Sequence, residues 1–181
     1  MAETQVDTIV RGGKVVSSSH VFEASIAIKG EKIAAVGPEQ LLPKADQYID
    51  AEGKFVLPGL IDSHVHLDGH DDYALGALAA AHAGLTTLVP FGNYALEGDE
   101  TLDQAIRRIQ DEVGTAALVD FGFHFILQNR PSILASLPKA MELGIKSFKM
   151  FMTYKKRPGR MCDDDYICNA MEMVAKGGGV L

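Results

Sequence analysis

The sequence predicts an α/β chain in two parts: a small β unit over residues 1–55, then βα units on a parallel sheet over residues 56–181. Three observations carry that prediction. Short alternating apolar stretches broken by glycine-containing turns fill the first part. In the second, apolar strands recur between helical stretches that close at Gly84, Gly114, Gly144 and Gly177, the pattern of βα units. The chain has 181 residues, of which 47% are hydrophobic and 23% charged, enough apolar material for a globular core and unlike a disordered or coiled-coil chain.

The elements follow in order. Thr8–Val10 and Lys14–Val16 read as strands either side of a Gly12-Gly13 turn, and Ala24–Ile28 and Lys32–Val36 as a hairpin around Lys29-Gly30-Glu31. Pro38, Pro43 and Gly53 then punctuate the way to a strand over 55–66. Helices are expected over 72–83, 100–113, 132–143 and 163–176, with strands at Thr86–Phe91, Ala117–Leu127 and Ile145–Phe151 between them. Gly177-Gly-Gly-Val-Leu181 looks like the opening of a further buried strand. An eight-unit βα barrel takes ~250 residues. Four units and the start of a fifth therefore read as about half of a TIM-like barrel, truncated at the fifth strand. A complete small sheet ending in a short edge strand is the alternative.

Charge and cysteine content exclude several functions. Seventeen Lys and Arg against twenty-four Asp and Glu leave −7, with no basic run longer than Lys155-Lys156-Arg157, so a nucleic-acid partner lacks its electrostatic footprint. Cys162 and Cys168 are too few for a stapled secreted scaffold and suit a reducing compartment. No leader pattern opens the sequence and no apolar window reaches the ~20 residues of a membrane span. The expectation is a soluble, cytoplasmic protein with no membrane partner.

Chemistry concentrates in two strands. In Asp62-Ser-His64-Val-His66-Leu-Asp68, extended backbone sends His64 and His66 to one side and Val65 and Leu67 to the other, so two imidazoles can share a cation such as zinc. An isolated His-x-His is more often a pair of partly buried histidines satisfied by carbonyls, since two ligands are fewer than the three or four of a zinc site. The preceding Pro58-Gly59 and the strand's place at the start of a barrel shift the balance here. Lys149 stands inside the apolar run Ser147-Phe-Lys149-Met-Phe-Met-Thr-Tyr154, where a lysine needs a partner or a neutralising reaction. Carbamylation by carbon dioxide is one such reaction; snorkelling to solvent is the bland alternative. His70 reads as a solvated loop residue, His82 as a helix-end histidine favoured by the dipole. His124 reads as a residue behind the site, outside the ligand set. Asp163-Asp-Asp165 reads as a helix cap.

The ordered set Pro58-Gly-Leu-Ile-Asp-Ser-His64-Val-His66-Leu-Asp68, Gly84-Leu-Thr-Thr87, Asp120-Phe-Gly-Phe-His124 and Gly144-Ile-Lys-Ser-Phe-Lys149-Met-Phe-Met-Thr-Tyr154 resembles the hydantoinase/dihydropyrimidinase branch of the amidohydrolase superfamily. The resemblance runs from about residue 7 to the end. It implies that residues 1–55 form part of a small β-sandwich, completed by residues from the far C-terminus, and that 56–181 are the first four units of a metal-dependent hydrolase barrel. It implies two divalent metal ions, usually zinc, with His64 and His66 on the more buried one and carboxylated Lys149 bridging both. Tyr154 matches the tyrosine that hydrogen-bonds the substrate carbonyl and its oxyanion. The implied activity is opening of hydantoin or dihydropyrimidine rings to N-carbamoyl amino acids by a metal-bridging hydroxide. The implied partners are a small cyclic amide and, at full length, further copies in a homo-oligomer such as the family's tetramers. Further ligands and a proton-shuttling aspartate would lie beyond residue 181, so the chain by itself is expected to be a weak or inactive catalyst. An allantoinase- or dihydroorotase-like amidohydrolase, or a non-catalytic scaffold relative, are the alternatives. The segment from Asp68 to the helix at 72 is short for the family, which leaves substrate identity open.

Overall fold

The computed structural model describes residues 5–67, 72–92, 100–115 and 117–181. Asp68, His70 and the segment joining them to the first helix, on which two expectations rest, lie outside the described residues. The chain divides between Pro58 and Gly59 into two compact units.

The first unit is a five-stranded sheet. Its strands are β1 (Val6–Val16), β2 (Val21–Lys29), β3 (Lys32–Gly37), β4 (Ala45–Asp50) and β5 (Phe55–Val56). The order is β3-β2-β1-β4, with β5 also on β1. The β2–β3 hairpin turns at Gly30, whose φ of 58° suits glycine. Gly12-Gly13 does not turn the chain as expected. β1 runs straight through it with a bulge, Gly12 at φ 70°, and a Cβ on Gly13 would stand 2.5 Å from a Val56 methyl. The glycines let β5 approach β1 closely rather than reverse it. β4 was not anticipated. It pairs in parallel with β1 from Val6–Ala45 to Arg11–Asp50. Val6, Ile9 and Ala27 form the unit's small core.

The second unit alternates strands and helices: β6 (Leu60–Val65), α1 (Tyr73–His82), β7 (Leu85–Pro90), α2 (Leu102–Gly114), β8 (Asp120–Phe121), β9 (His124–Ile126), α3 (Pro131–Glu142), β10 (Ser147–Lys149) and α4 (Asp164–Lys176). All its strand pairs are parallel, β6-β7-β8 and β9-β10. Two expected strands are each broken. The one over 55–66 divides into β5 and β6 at Leu57-Pro58-Gly59, because proline cannot donate to a ladder. That over 117–127 bends at Gly122-Phe123 and changes partner, its first half on β7 and its second on β10. The halves stay linked to β7: the Gly122 amide donates to the Leu88 carbonyl at 2.9 Å, and the Gly92 amide to the His124 carbonyl at 2.9 Å.

Helix α2 opens with a reciprocal Thr101/Gln104 cap and buries Leu102, Ala105, Ile106, Ile109 and Val113 along one stripe. That stripe meets Ile133, Leu137 and Ala140 of α3, Phe125 of β9, and Tyr166, Ala170 and Val174 of α4 in one core. Asp163 caps α4, its carboxylate accepting from the Tyr166 amide at 2.9 Å, as its sequence position predicts. Val180 pairs with Ser147, and its carbonyl accepts from the Phe148 amide at 3.0 Å. Its side chain is exposed, however, and not buried as expected. No helix among the described residues is long and apolar enough to cross a membrane.

Candidate metal centre

The histidine pair is set by β6. Extended backbone turns Val65 and Leu67 inward, Leu67 buried, and leaves both imidazoles on the opposite side, exposed. The Asp62 carboxylate accepts from the His64 amide at 3.0 Å, which orders the strand between them. The two ring centres lie 5.5 Å apart. Two imidazoles sharing a tetrahedral cation at ~2.0–2.1 Å place their ring centres roughly 5 Å apart, so the spacing suits a common ion.

Phe91, just beyond β7 and almost wholly buried, is the surface on which the site assembles. His64 stands edge-on to its ring at 4.9 Å and His66 is stacked on it at 4.8 Å. The Lys149 ammonium, at the end of β10, lies 4.4 Å from the same ring centre. A histidine pair from β6 and a lysine more than eighty residues later in the sequence thus meet on one side chain. The ammonium is no farther from either imidazole than the two ring distances laid end to end.

Lys149 is half-buried, with the Phe151 ring 5.1 Å away as a second aromatic face. Among the described residues no carboxylate is within ion-pair distance of it. Its charge is met by ring quadrupoles. Tyr154 is one ring removed, T-shaped on Phe151 at 5.3 Å and about half exposed. Its φ of 69° is the one left-handed conformation among the described non-glycine residues, a strain that ordered loops hold at functional positions.

His124 sits behind the pair. Its Nε2 is 2.9 Å from the Ser63 carbonyl and its Nδ1 2.6 Å from the Ser147 hydroxyl, with its ring 5.0 Å from Phe91. A carbonyl only accepts, so Nε2 carries a proton. Both nitrogens are thereby used in tying β6, β9 and β10 together. Sequence reasoning missed Phe91, which reads as one more core aromatic; the signal was its position at the C-terminal end of a strand, level with the histidines. His82 is the exposed last residue of α1.

The residues fit a divalent cation by donor type and spacing. Among the described residues no cluster of three His, Cys, Asp or Glu forms; the histidine pair supplies two imidazole donors, and the Lys149 amine shares the Phe91 ring with them. Below the site, Cys162 is buried with its thiol toward the Leu127 carbonyl at 3.5 Å, and burial pushes that thiol's pKa up.

Comparison with known proteins bears on the family of the chain. Residues 47–115 match the Amidohydrolase family. D-hydantoinase of Geobacillus stearothermophilus is 36% identical over 156 residues, 81% of this chain and 32% of that protein. D-hydantoinase of Rhizobium radiobacter is 32% identical over 184 residues, 97% of this chain and 39% of that one. A solved D-hydantoinase structure superposes with a TM-score of 0.85 at 32% identity, covering 97% of this chain and 39% of the other. By sequence and fold the chain belongs to the amidohydrolase family. Within that family it belongs to the hydantoinase/dihydropyrimidinase branch, and it spans about two fifths of the length of the relatives it matches.

Proposed function

We propose that this chain carries the first part of a metal-dependent cyclic amidase of the hydantoinase/dihydropyrimidinase type. In this reading residues 1–55 belong to a β-sandwich and residues 56–181 are the first four βα units of a TIM-like barrel. The small-molecule substrate is a cyclic amide, a hydantoin or dihydropyrimidine, opened to an N-carbamoyl amino acid. The observation that carries the reading is the meeting of His64, His66 and Lys149 on the Phe91 ring.

His64 and His66 would hold one divalent cation, with zinc suited to imidazole donors at this spacing. Lys149 would bridge that ion to a second. Carbon dioxide adds to the neutral amine, forming an N–C bond and releasing a proton, and the resulting carbamate offers two anionic oxygens in place of a cationic nitrogen. When bound, such a metal pair supplies Lewis acidity that brings water ionisation near neutral pH and polarises an amide carbonyl. The chain's other residues position and stabilise. Tyr154, held at the loop's strained position, presents a phenol that donates to the substrate carbonyl oxygen and to the oxyanion it becomes. Phe91 excludes water from one side of the ammonium and both imidazoles. His124 fixes the strand from which they project.

The test is zinc binding by the purified chain, followed by native mass spectrometry and calorimetry. Zinc that is held by the chain and lost on addition of a chelator and in the His66→Ala variant is the expected result. No zinc held, or binding that His66→Ala leaves unchanged, overturns the reading.

A further inference from the structure

From Ser147 to Cys162 the chain has five cationic residues and no Asp or Glu, although the whole carries −7. Lys149 is one of them. The others, Lys155, Lys156, Arg157 and Arg160, lie in the loop that follows Tyr154. Two consecutive tight turns build that loop. The Arg157 amide donates to the Tyr154 carbonyl at 2.8 Å, and the Arg160 amide to the Arg157 carbonyl at 3.1 Å around Pro158-Gly159. Gly159 takes φ 71°, as the third residue of such a turn must. The loop is anchored at both ends: the Asn129 amide donates to the Gly159 carbonyl at 2.9 Å, and the Cys162 amide to the Phe151 carbonyl at 2.8 Å.

These turns fold both arginines back toward the metal residues. The Arg157 guanidinium lies 5.2 Å from the Tyr154 ring and that of Arg160 5.1 Å from the Phe151 ring. Phe151 is itself the second face of Lys149. Cations and rings therefore alternate from Phe91 through Lys149, Phe151 and Tyr154 to Arg157. The Arg157 guanidinium, lying on the Tyr154 ring, is ordered, yet its in-plane N–H groups remain open to a planar, bidentate acceptor. Among the described residues Lys155, Lys156 and Arg157 have no carboxylate within ion-pair distance. Asp163, the nearest acid in sequence, is occupied capping α4 and lies 3.5 Å from the Asn129 side chain, and Asp164 and Asp165 are in that helix's first turn.

We infer that this loop is a carboxylate subsite, and that the preferred cyclic amide bears an anionic substituent on the ring carbon. This deepens the cyclic-amidase reading and rests on it for the ring. Ring opening itself creates one carboxylate on every product, so the probes must differ in the second.

Two measurements test it on the full chain. The first is calorimetric binding to metal-free protein at low ionic strength, comparing N-carbamoylaspartate with N-carbamoylalanine. The dicarboxylate is expected to bind about tenfold more tightly, one charged hydrogen-bonded contact's worth, and Arg157→Gln to remove the difference. The second compares binding of hydantoin-5-acetic acid and 5-methylhydantoin to the zinc-loaded protein, with preference for the acid expected and lowered by Arg157→Gln. Dicarboxylate binding that depends on Arg157, in protein that holds no zinc, keeps the subsite and discards the amidase. Both rings bound equally by zinc-loaded protein, with equal product binding, keeps the amidase and discards the subsite. A preference unchanged in Arg157→Gln, folded by circular dichroism, also discards it.

Discussion

The Phe91 ring should be measurably coupled to the Lys149 charge. At 4.4 Å from the ring centre the ammonium is well inside the ~6 Å range of cation–π attraction, and it is half-buried, so roughly 0.5–2 kcal/mol is expected from that one contact. Neither single substitution isolates it. Phe91→Leu also leaves packing volume unfilled at a nearly buried site, and Lys149→Met also alters hydration. Urea unfolding of wild type, both single variants and the double variant, followed by far-ultraviolet circular dichroism, removes those separate effects as a double-mutant cycle. Phe151, 5.1 Å from the ammonium, is present in all four proteins and cancels. The expected outcome is that Phe91→Leu destabilises the chain that keeps Lys149 more than it destabilises the Lys149→Met variant, by roughly 0.5–2 kcal/mol. Additivity within ~0.3 kcal/mol would refute the claim that the ring supports the charge, and with it the picture of Phe91 as the surface on which the site assembles.

Other outcomes follow from the surroundings of the site. Cys162 is buried with its thiol's pKa raised by desolvation, whereas Cys168 is exposed; iodoacetamide at neutral pH should add one group per native chain and a second only after unfolding, read by intact mass. The Tyr166 hydroxyl donates to the Gln128 carbonyl at 2.6 Å, both buried, so Tyr166→Phe should cost roughly 1–3 kcal/mol in urea unfolding at pH 7. Burial also raises the Tyr166 pKa. Above about pH 10 the unfolded chain releases a proton that the folded chain retains, so stability falls as pH climbs from there toward the folded value. That decline should flatten in the Tyr166→Phe variant. For His124, long-range nitrogen–proton correlation should show Nε2 protonated, facing the Ser63 carbonyl; a proton on Nδ1 alone would contradict the bond.

Much of the second unit was legible because glycine and hydrophobic period agree. Gly84, Gly144 and Gly177 fall within two residues of the observed helix ends and Gly114 on one, and the α2 stripe repeats at helical spacing. The failures have local causes. Strand β4, Ala-Asp-Gln-Tyr-Ile-Asp, has exposed side chains along most of its length, so no alternation announces it, and only its backbone pairing with β1 makes it a strand. Gly12-Gly13 carries the same letters for a turn and for a bulge; the close approach of Val56 decides, and that contact is not local in sequence. In the site, parity alone put both imidazoles on one side of β6, and a lysine in an apolar run singled out Lys149. Phe91 gave only its place at a strand end, since its meaning depends on the contact between Gly92, just past β7, and His124 of β9. Arg157 was visible only as the end of a short basic run, and Arg160 not at all, because their stacking arises from two turns, the second of which needs Gly159 in a left-handed conformation.

The rings around Lys149 bear on the proposed carbamate. Phe91 and Phe151 present electron-rich faces to Nζ, and these favour the ammonium. A carbamate at the same place sets negative charge against those faces, so the surroundings oppose the modification unless cations beside it supply more attraction than the rings withdraw. Under the proposed reading, metal occupancy and carbamylation are then linked, and linkage is reciprocal: whatever factor zinc adds to carbon dioxide affinity, carbon dioxide adds to zinc affinity. Native mass spectrometry of metal-free protein in bicarbonate should show Lys149 unmodified. Added zinc should produce a species heavier by metal plus ~44 Da, the mass of one added carbon dioxide, and His64→Ala, which leaves the rings and the amine in place, should suppress both increments together. A carbamate that forms equally well without metal would show that the ring faces do not govern the amine.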